Sequence, residues 1–522
     1  MIEVKYGIEA RNSLKNGIDK TVNAVKVTLG AKGRNVMCRN GHITKDGVTV
    51  VRDIEMMDSF ENKGCQVAKN ISNALNDSVG DGTTTCLVIA QDIFDTGFKN
   101  ITAGANPMDL QRGIEKAVDL VESELVKQAI SVKKDFDKVK QIATISANGD
   151  NIIGTFITDA IKDTTNNGVV SIIEGKGIET KIDRVKGLEI NSGYLSNYFV
   201  NNNDKLETNF EDVYVVLIEE EIRTFDKLIP TIEFTASKNR PVLFIAHGFD
   251  SQVISAMAIN KVKGGIKICA IKLPNNKLSK DIFEDIAIVT GACVLSKDRG
   301  TSIEEIADIK DILGEASKIN ITQNTTTIID GKGDVEEIKE RIKTVKSQIE
   351  ITASEYDKNS LKERLAKLDG GIVVIEVGGK SESVIKELKD RYIDALHATQ
   401  AAVKEGIVEG GGVALLKCIK PLKKLKGLNE DEQTGINIII KALESPIRQI
   451  VLNAGGRPDV VIDKVLKTGK GFNVATNKYE DFLLNGIIDP VMVTKRVLSE
   501  AATQIGLLLT IEAVISETKD KD

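Results

Sequence analysis

The middle of the chain alternates between strand-like and helix-like patterns, and this alternation constrains the fold more than any other feature of the sequence. Between about residues 187 and 370, β-branched apolar runs occur at Val213–Ile218, Pro241–Ala246 and Ile266–Ile271, and amphipathic segments of helix length separate them. Strands that alternate with helices are typical of βαβ units around a parallel sheet. We therefore expect an α/β domain here, and further domains elsewhere, because 522 residues are too many for one hydrophobic core.

A helical hairpin is predicted towards the end of this segment. Apolar residues recur at steps of three and four from Val335 to Ile349 and again from Leu361 to Leu368. A polar turn separates the two stretches. Ser360 and Glu363 have the spacing of a capping box, so we expect the second helix to begin at Ser360.

Helical periodicity also dominates the two ends of the chain. The same spacing of apolar residues from Leu14 to Leu29 predicts a long first helix, and Gly30 suits its C-terminal cap. The β-branched run Val48–Val51 predicts a short strand in a hairpin, entered through the turn residues Asp46-Gly47.

Charge and cysteine content exclude several classes of protein. The 70 basic and 76 acidic residues leave a net charge of −6, so the overall charge attracts neither nucleic acid nor an anionic membrane. The six cysteines form no CxxC pair, which fits reduced thiols in a cytosol-like compartment. The apolar stretch Ile505–Ile515 is much shorter than the roughly 20 residues of a membrane-spanning helix, and the N-terminus resembles no export signal. We expect a cytoplasmic protein with neither nucleic acid nor membrane among its partners.

The run from Gly80 to Thr85, with the sequence GDGTTT, is the most informative motif, and we call it the glycine–threonine loop. Glycines let backbone amides approach phosphate oxygens, and a helix that begins at Cys86 would add the positive end of its dipole. Asp81 would suit Mg²⁺, which prefers oxygen ligands and bridges to nucleotide phosphates. The pattern GxxxxGK[ST] is absent, which excludes the P-loop class. For an isolated motif, a simple helix cap is an equally good interpretation.

Two further segments carry groups that suit a nucleotide. Gly410-Gly411-Gly412 would let a backbone approach a ligand closely, although a triple glycine alone more often forms a flexible link. Asn473–Ala475 supplies an amide for an adenine edge, and Asp489, within Gly486–Pro490, supplies a carboxylate for a ribose hydroxyl. Taken alone, the Asp-Pro pair is usually a turn.

Together these segments resemble the GroEL family, the group I heat-shock chaperonins, over essentially the whole chain. The resemblance lies in six segments that occur in family order: Thr28–Asn35, Ile43–Val48, Gly80–Thr85, Thr144–Asn148, Asp394–Thr399 and Gly410–Leu415. It implies an α/β multidomain, GroEL-like chaperonin fold. The implied domains are a mostly helical equatorial ATP-binding domain at 1–130 and 405–522, a small intermediate hinge domain at 131–186 and 371–404, and an α/β apical domain at 187–370.

The resemblance also implies an ATPase, which forms ADP and phosphate from ATP and water, with Mg²⁺ and K⁺ as cofactors. Asp81 would bind Mg²⁺, and Thr28 and Lys45 would offer backbone or side-chain oxygens to K⁺. Asp394 and Asp46 would be the catalytic residues that position and activate the attacking water. The implied nucleotide-binding positions are Thr28, Leu29, Gly30, Lys45, Gly82, Thr83, Thr84, Thr85, Gly411, Asn473, Val474, Ala475 and Asp489.

A second implied site is an exposed apolar groove in the apical domain. Its positions are Tyr194, Tyr198, Phe199, Ile229, Ile232, Ile254 and Ile259. The groove would bind non-native polypeptides and a GroES-type co-chaperonin lid, which would displace them into the cavity of a heptameric ring of identical subunits, in one or two rings. Exposed apolar surface is typical of such binding sites. Without the resemblance, a stripe of this kind is better interpreted as ordinary core.

Three departures from the family pattern qualify these expectations. Ala31 replaces a proline of the phosphate loop, which should leave binding intact. Ser192 replaces an arginine of an interdomain ion pair, so cooperativity between subunits should be weaker. Arg457 stands where an acidic residue would face Arg448 across two rings, and such a like-charge contact suggests a labile double ring or a single ring.

Two other functions remain open from the sequence. One is a nucleotide-dependent enzyme such as a kinase, for which no spare acceptor site is evident. The other is a nucleotide-binding ring scaffold with little turnover, although Asp46, Asp81 and Asp394 are all present. Without its flanking motif, Asp394 would be interpreted as a solvated helix carboxylate, and we interpret His397, one turn later, as structural.

Overall fold

The chain forms two compact units, and each is described by itself. The first unit is Met1–Thr158 with Asp390–Asp522, and the second is Asp159–Lys389. The three-domain boundaries remain a prediction. The computed structural model describes residues 2–39, 41, 43–133, 135–147, 149–163, 169–175, 177–202, 206–274, 279–297, 300–301, 309–352 and 354–517.

Helices dominate the first unit. Those of the N-terminal part are α1 (Gly7–Val25), α2 (Gly47–Asp53), α3 (Ser59–Val79), α4 (Thr83–Thr102), α5 (Pro107–Gln128), α6 (Phe136–Ser146) and α7 (Asn151–Asp163), the last of which continues into the second unit. Those of the C-terminal part are α13 (Glu382–Glu405), which begins in the second unit, α14 (Val413–Lys417), α15 (Ile419–Leu422), α16 (Glu430–Ala442), α17 (Ser445–Asn453), α18 (Pro458–Thr468) and α19 (Val491–Leu509).

Among its described residues, the first unit also contains four small antiparallel pairs of strands. They are β1 (Ile2–Tyr6) with β18 (Ala513–Glu517), β2 (Val36–Met37) with β3 (Ile43–Thr44), β14 (Ile407–Glu409) with β17 (Ile488–Pro490), and β15 (Gly471–Asn473) with β16 (Lys478–Glu480). Two of these pairs join residues from the two ends of the sequence or from segments about 80 residues apart, so they tie distant parts of the chain into one core.

Close backbone contact packs α1 directly against α3. A Cβ added to Gly17 of α1 would lie 1.8 Å from Glu61 O, and one added to Gly64 of α3 would lie 2.1 Å from Leu14 O. Only glycine permits this approach at both positions. The apolar faces of α1, α3, α4, α5, α16 and α19 then share one core, which holds the α3–α4 connection in place.

Two local predictions at the N-terminal end are wrong. Helix α1 ends at Val25 and continues only as a 3-10 turn, Lys26–Thr28, so Gly30 does not cap it. The run predicted as a strand, Val48–Val51, is helix α2, because the Asp46 carboxylate accepts hydrogen bonds from Val48 N and Thr49 N and so caps a helix. The hairpin itself lies just before, in β2 and β3.

Two sheets organise the second unit. The larger has the order β6 (Gly187–Ile190), β12 (Thr326–Gly331), β11 (Gly314–Ile321), β7 (Thr208–Ile222), β8 (Val242–Phe249) and β9 (Ile268–Lys272), with β10 (Val294–Leu295) beside β7. The smaller has the order β4 (Val169–Glu174), β13 (Ile372–Val377) and β5 (Lys181–Val185). The remaining helices are α8 (Ile229–Ser237), α9 (Ser251–Gly264), α10 (Ser279–Thr290), α11 (Val335–Ile351) and α12 (Glu355–Gly370).

The predicted βαβ segment is confirmed. Strands β7, β8 and β9 are parallel neighbours, and α8 and α9 connect them. Helices α11 and α12 confirm the helical hairpin, but α12 begins at Glu355 with Ser354 as its cap, so the prediction that Ser360 caps it is wrong. Among the described residues, no helix combines the length and the apolar character that crossing a membrane requires.

Candidate functional site

The glycine–threonine loop connects α3 to α4 and leaves the start of α4 open. Gly80 and Gly82 both have left-handed backbone angles, with φ +69° and +83°. Helix α4 begins at Thr83, three residues earlier than predicted, so its threonines form the first helical turn, and no side chain caps it. The first amides of such a helix lack intrahelical partners and suit an anion.

Asp81 of this loop interacts electrostatically with two other carboxylates, those of Asp46 and Asp489. Asp81 Oδ1 accepts a hydrogen bond from Gly82 N at 2.6 Å. Burial raises the pKa of Asp81, and the nearby charge of Asp46 raises it further, while the bonds from Gly82 and Ser146 oppose the shift. Burial also raises the pKa of Asp489 to about 6, with a further contribution from the charge of Asp81. A bound cation would relieve this mutual repulsion.

The residues around Asp81 fit a magnesium ion that is held mainly by a ligand. Mg²⁺ is commonly bound by one or two carboxylates, with phosphate oxygens and waters completing the octahedron. In the part of the chain that the structure describes, no group of three or more His, Cys, Asp or Glu side chains has the arrangement of an all-protein metal site. Asp81 is therefore suited to share a metal ion with a phosphate group.

Helix α2 and the loop before it bring further predicted residues to the same place. A Cβ added to Gly47 would lie 2.2 Å from Thr84 Oγ1, so the start of α2 packs directly on the first turn of α4. The cap residue Asp46 also accepts a hydrogen bond from Thr49 Oγ1 at 2.6 Å. Lys45 Nζ donates to Gly30 O at 3.1 Å, which joins two predicted phosphate-binding positions.

The residues Thr28 and Leu29 contribute mainly backbone atoms here. The Thr28 hydroxyl is buried and donates to Val25 O at 2.9 Å. Leu29 O accepts a hydrogen bond from Asn453 Nδ2, also at 2.9 Å. The turn between α1 and β2 is therefore held from two sides, with Gly30 in a left-handed conformation at its apex.

A second wall comes from the C-terminal part of the first unit. Strand β14 pairs with β17, and a Cβ added to Gly410 would lie 3.0 Å from Asp489 Oδ1. Gly411 N forms a hydrogen bond that lowers the pKa of Asp489. The ring of Phe482 lies beside both Gly411 and Gly471, so it connects this wall to β15.

The predicted base-binding segment lies at the β15–β16 hairpin. Asn473 donates through Nδ2 to Glu480 Oε1 at 2.6 Å and accepts through Oδ1 from Ala475 N at 2.9 Å. Its side-chain amide is thus held within the hairpin. Val474 is buried, whereas Ala475 is exposed and remains available to a flat ligand.

A serine of α6, to which the sequence analysis gave no role, lies between helix α13 and the glycine–threonine loop. Ser146, the last residue of α6, donates its hydroxyl to the main-chain oxygen of Asp394 at 3.1 Å and lies 3.5 Å from Asp81 Oδ2. The hydroxyl proton is shared between the two acceptors, and the contact with the Asp394 oxygen is the shorter. Ser146 therefore links the predicted metal ligand to the helix that carries the predicted catalytic aspartate. Its place in the motif Thr144–Asn148 was the available signal, although Asn148 itself lies outside the described residues.

The predicted apolar groove is only partly exposed. Tyr198 and Ile259 are 68% and 54% exposed, and Ile229 and Ile254 are partly buried. The expectation of an exposed side chain is wrong for three positions, because each packs in the core of the second unit: Tyr194, Phe199 and Ile232.

One exposed apolar residue near this surface was missed. Val262 is 66% exposed and follows Ile259 by three residues on α9. Residues three apart lie on the same face of a helix. Lys261 Nζ donates to Val200 O at 2.9 Å, which holds α9 beside the 3-10 turn that carries Tyr198. We call Tyr198, Ile259 and Val262 the apolar rim.

Comparison with solved structures matches the fold over its full length. Two crystal forms of the chaperonin gp146 from the bacteriophage EL 2 (Pseudomonas aeruginosa), both in the presence of ATP-BeFx, align with TM-scores of 0.70 and 0.64. Each alignment covers 99% of this chain and 99% of the other at 22% sequence identity. The chain therefore has the chaperonin fold. The profile of the TCP-1/cpn60 chaperonin family matches residues 22–231 and 226–519, which together span nearly the entire sequence, and the chain belongs to this family.

Proposed function

We propose that the protein is an ATP-driven group I chaperonin of the GroEL type. It captures non-native polypeptides on the apolar rim, encloses them in a ring cavity under a GroES-type lid and releases them as ATP is hydrolysed. The observation that carries this proposal is the position of Asp81. Asp81 lies beside the uncapped N-terminus of α4. It interacts electrostatically with Asp46 and Asp489. It also lies near Ser146, whose hydroxyl donates to the Asp394 main-chain oxygen.

The chain's own groups suit the hydrolysis of a nucleoside triphosphate. The first-turn amides of α4 and the Lys45 ammonium would bind phosphate oxygens, and Asp489 would accept a hydrogen bond from the ribose. Asp81 would hold Mg²⁺, which when bound neutralises charge on the transferred phosphoryl group. Asp394, with Asp46, would orient the attacking water and accept its proton. Backbone oxygens near Thr28 and Lys45 would hold K⁺.

The apolar rim supports the capture of unfolded chains. Tyr198, Ile259 and Val262 expose apolar surface on adjoining elements of the second unit. Exposed apolar side chains bind the apolar segments that an unfolded polypeptide presents. We propose that the lid protein uses the same surface, so that its binding displaces the captive chain.

We propose that the protein assembles into a ring of seven copies, and two small sheets offer surfaces for contacts between neighbouring copies. The exposed side chains Ile2 and Tyr6 lie on the β1–β18 pair, and Met37 and Ile43 lie on the β2–β3 hairpin. Two-stranded sheets have little stability alone, and an open strand edge can pair with another chain. We propose that these edges meet between neighbouring subunits.

The single ring or labile double ring stays a hypothesis. The structure weakens the argument for it from the like charges of Arg448 and Arg457. The Arg448 guanidinium donates to Asp459 Oδ1 at 2.7 Å and to Glu444 Oε2 at 2.9 Å within its own chain. Its charge is therefore already compensated, which reduces the expected repulsion from Arg457. Native mass measurement with and without nucleotide tests the point, and a stable double ring in both conditions would reject the single-ring hypothesis.

The deciding experiment is ATP- and lid-dependent refolding of an aggregation-prone protein, with phosphate release measured in parallel. We expect wild type to refold it and Asp394→Ala to lose turnover by about 10²–10⁴-fold while its affinity for ATP is unchanged, since a catalytic base acts after binding. Glu387→Ala, which changes an exposed carboxylate of the same helix, is the matched control. Background phosphate release from wild type, unchanged in Asp394→Ala, would instead favour a ring scaffold.

A further inference from the structure

A second side chain of α13 lies against the glycine–threonine loop. A Cβ added to Gly80 would lie 2.0 Å from His397 Nδ1, 2.7 Å from its Cγ and 2.9 Å from its Cβ. The imidazole and its first carbon therefore fill the space in which any side chain at position 80 would begin. Gly80 is required twice over, because its φ of +69° also disfavours every residue with a side chain.

The contact between His397 and Gly80 is one of packing. None of the described residues forms a hydrogen bond with the His397 ring. The His397 side chain is exposed, yet the protein atoms packed around its ring desolvate it and lower its pKa, which favours the neutral form. A neutral ring against a bare backbone contributes shape rather than charge.

The position of His397 on α13 gives this contact its consequence. His397 follows Asp394 by three residues, so the two side chains lie on the same face of the helix. Helix α13 is thus held at two places beside the loop: the Ser146 hydroxyl of α6 donates to the Asp394 main-chain oxygen, and His397 packs against Gly80. Two contacts three residues apart on a rigid helix fix both its height and its rotation.

We propose that His397 is a positioning residue: it packs α13 against the Gly80 backbone and so sets the distance between Asp394 and Asp81 of the glycine–threonine loop. The inference rests on the proposed function, since it concerns the geometry of the hydrolytic step. A displacement of about 1 Å at a reacting group can cost on the order of 10²-fold in rate. His397 would therefore govern turnover without touching the nucleotide.

A double-mutant cycle on phosphate release tests the contact, with His397→Ala, Gly80→Ala and the double variant. His397→Ala should lower kcat by about 10- to 100-fold with little change in KM, because it loosens the helix but leaves the binding groups in place. Gly80→Ala should lose activity through its clash with the ring. The double variant removes that clash, so it should retain at least about threefold more activity than the product of the two single losses.

His397→Phe separates packing from hydrogen bonding, because it keeps a ring against Gly80 and removes both nitrogens. We expect it to retain most of the wild-type kcat. Hydrogen exchange of the loop amides in the nucleotide-free protein gives a second readout, which should be faster than wild type in His397→Ala and close to wild type in His397→Phe. Far-UV circular dichroism and native mass establish that each variant folds and assembles.

Three results would overturn the inference. The first is a double variant whose loss of activity equals the product of the two single losses. The second is a His397→Ala variant with the kcat of wild type. The third is a His397→Phe variant as inactive as His397→Ala, because that result would assign the role to a ring nitrogen. If wild type releases no phosphate, the proposed function fails instead. The hydrogen-exchange comparison then still decides whether His397 holds the loop.

Discussion

Gly82 offers a prediction whose size follows directly from the structure. It is the N-cap of α4 with φ +83°, and a Cβ added there would lie 2.6 Å from Val497 Cγ2 and 2.9 Å from Val493 Cγ1 of α19. Alanine in a left-handed conformation costs about 1–2 kcal/mol. Forcing a methyl group into packed core adds about 1–3 kcal/mol. Gly82→Ala should therefore reduce the free energy of unfolding of the first unit by about 2–5 kcal/mol.

Gly469→Ala is the matched control for this change. Gly469 ends α18 with φ +71°, and a Cβ added there would meet no atom within 4 Å, so only the backbone penalty of about 1–2 kcal/mol applies. The chain contains no tryptophan, so urea transitions are best followed by far-UV circular dichroism. We expect Gly82→Ala to unfold at lower urea than the control and to bind ATP more weakly, because α4 must shift. Equal transitions with unchanged ATP affinity would refute the reasoning.

Three further predictions concern single side chains. Ser146→Ala should lower kcat by about two- to tenfold, because the hydrogen bond to the Asp394 carbonyl contributes about 0.5–1.5 kcal/mol, and Ser146→Thr should restore it; equal rates would contradict this. Asp285→Ala removes a buried carboxylate that pairs with the buried Arg364 and the half-buried Arg341, and it should destabilise the second unit by about 3–5 kcal/mol. The more exposed Asp281 pairs with the same two arginines, and Asp281→Ala should cost about 1 kcal/mol or less, as urea transitions can show. Asp489→Asn should raise the melting temperature of the nucleotide-free protein at neutral pH. The raised pKa means that wild type loses stability as pH rises from about 4 to about 6, so the difference should vanish near pH 4.

Sequence patterns predicted elements best where many residues repeat one spacing. The apolar periodicity of α1 and the three runs that became β7, β8 and β9 each cover enough positions to outweigh local exceptions. Val48–Val51 has only four, and β-branched side chains favour a strand there. This segment is nevertheless helical, because the Asp46 carboxylate accepts hydrogen bonds from two amides of the first turn and so caps the helix.

The site was predictable mainly as separate pieces. Gly80 and Gly82 indicated a loop with unusual backbone angles. Nothing local placed Asp489 near Asp81, because the two are far apart in sequence and only the packing of α19, which follows Asp489, on Gly82 brings them to the same place. Only the family resemblance grouped them. Ser146 and His397 were missed as contacts of the loop, since a hydroxyl at a helix end and a histidine on a helix face have many ordinary roles.

Burial limited the prediction of the apolar rim. Tyr198 and Phe199 are adjacent in sequence, yet the first is exposed and the second is fully buried. A composition of apolar residues alone does not distinguish core from binding surface, because both require the same side chains. Which of the two side chains faces solvent depends on how α9 packs beside the 3-10 turn Asn197–Phe199.

The central claim is that nucleotide bound near Asp81 controls the affinity of the apolar rim for unfolded polypeptide. The most direct measurement is the equilibrium binding of a labelled, denatured protein to the full chain, with and without Mg²⁺ and ATP. The account predicts tight binding without nucleotide, a loss of affinity of about 5- to 150-fold with it, and no such loss in Asp81→Asn. An affinity that is the same with and without nucleotide in wild type would contradict the account.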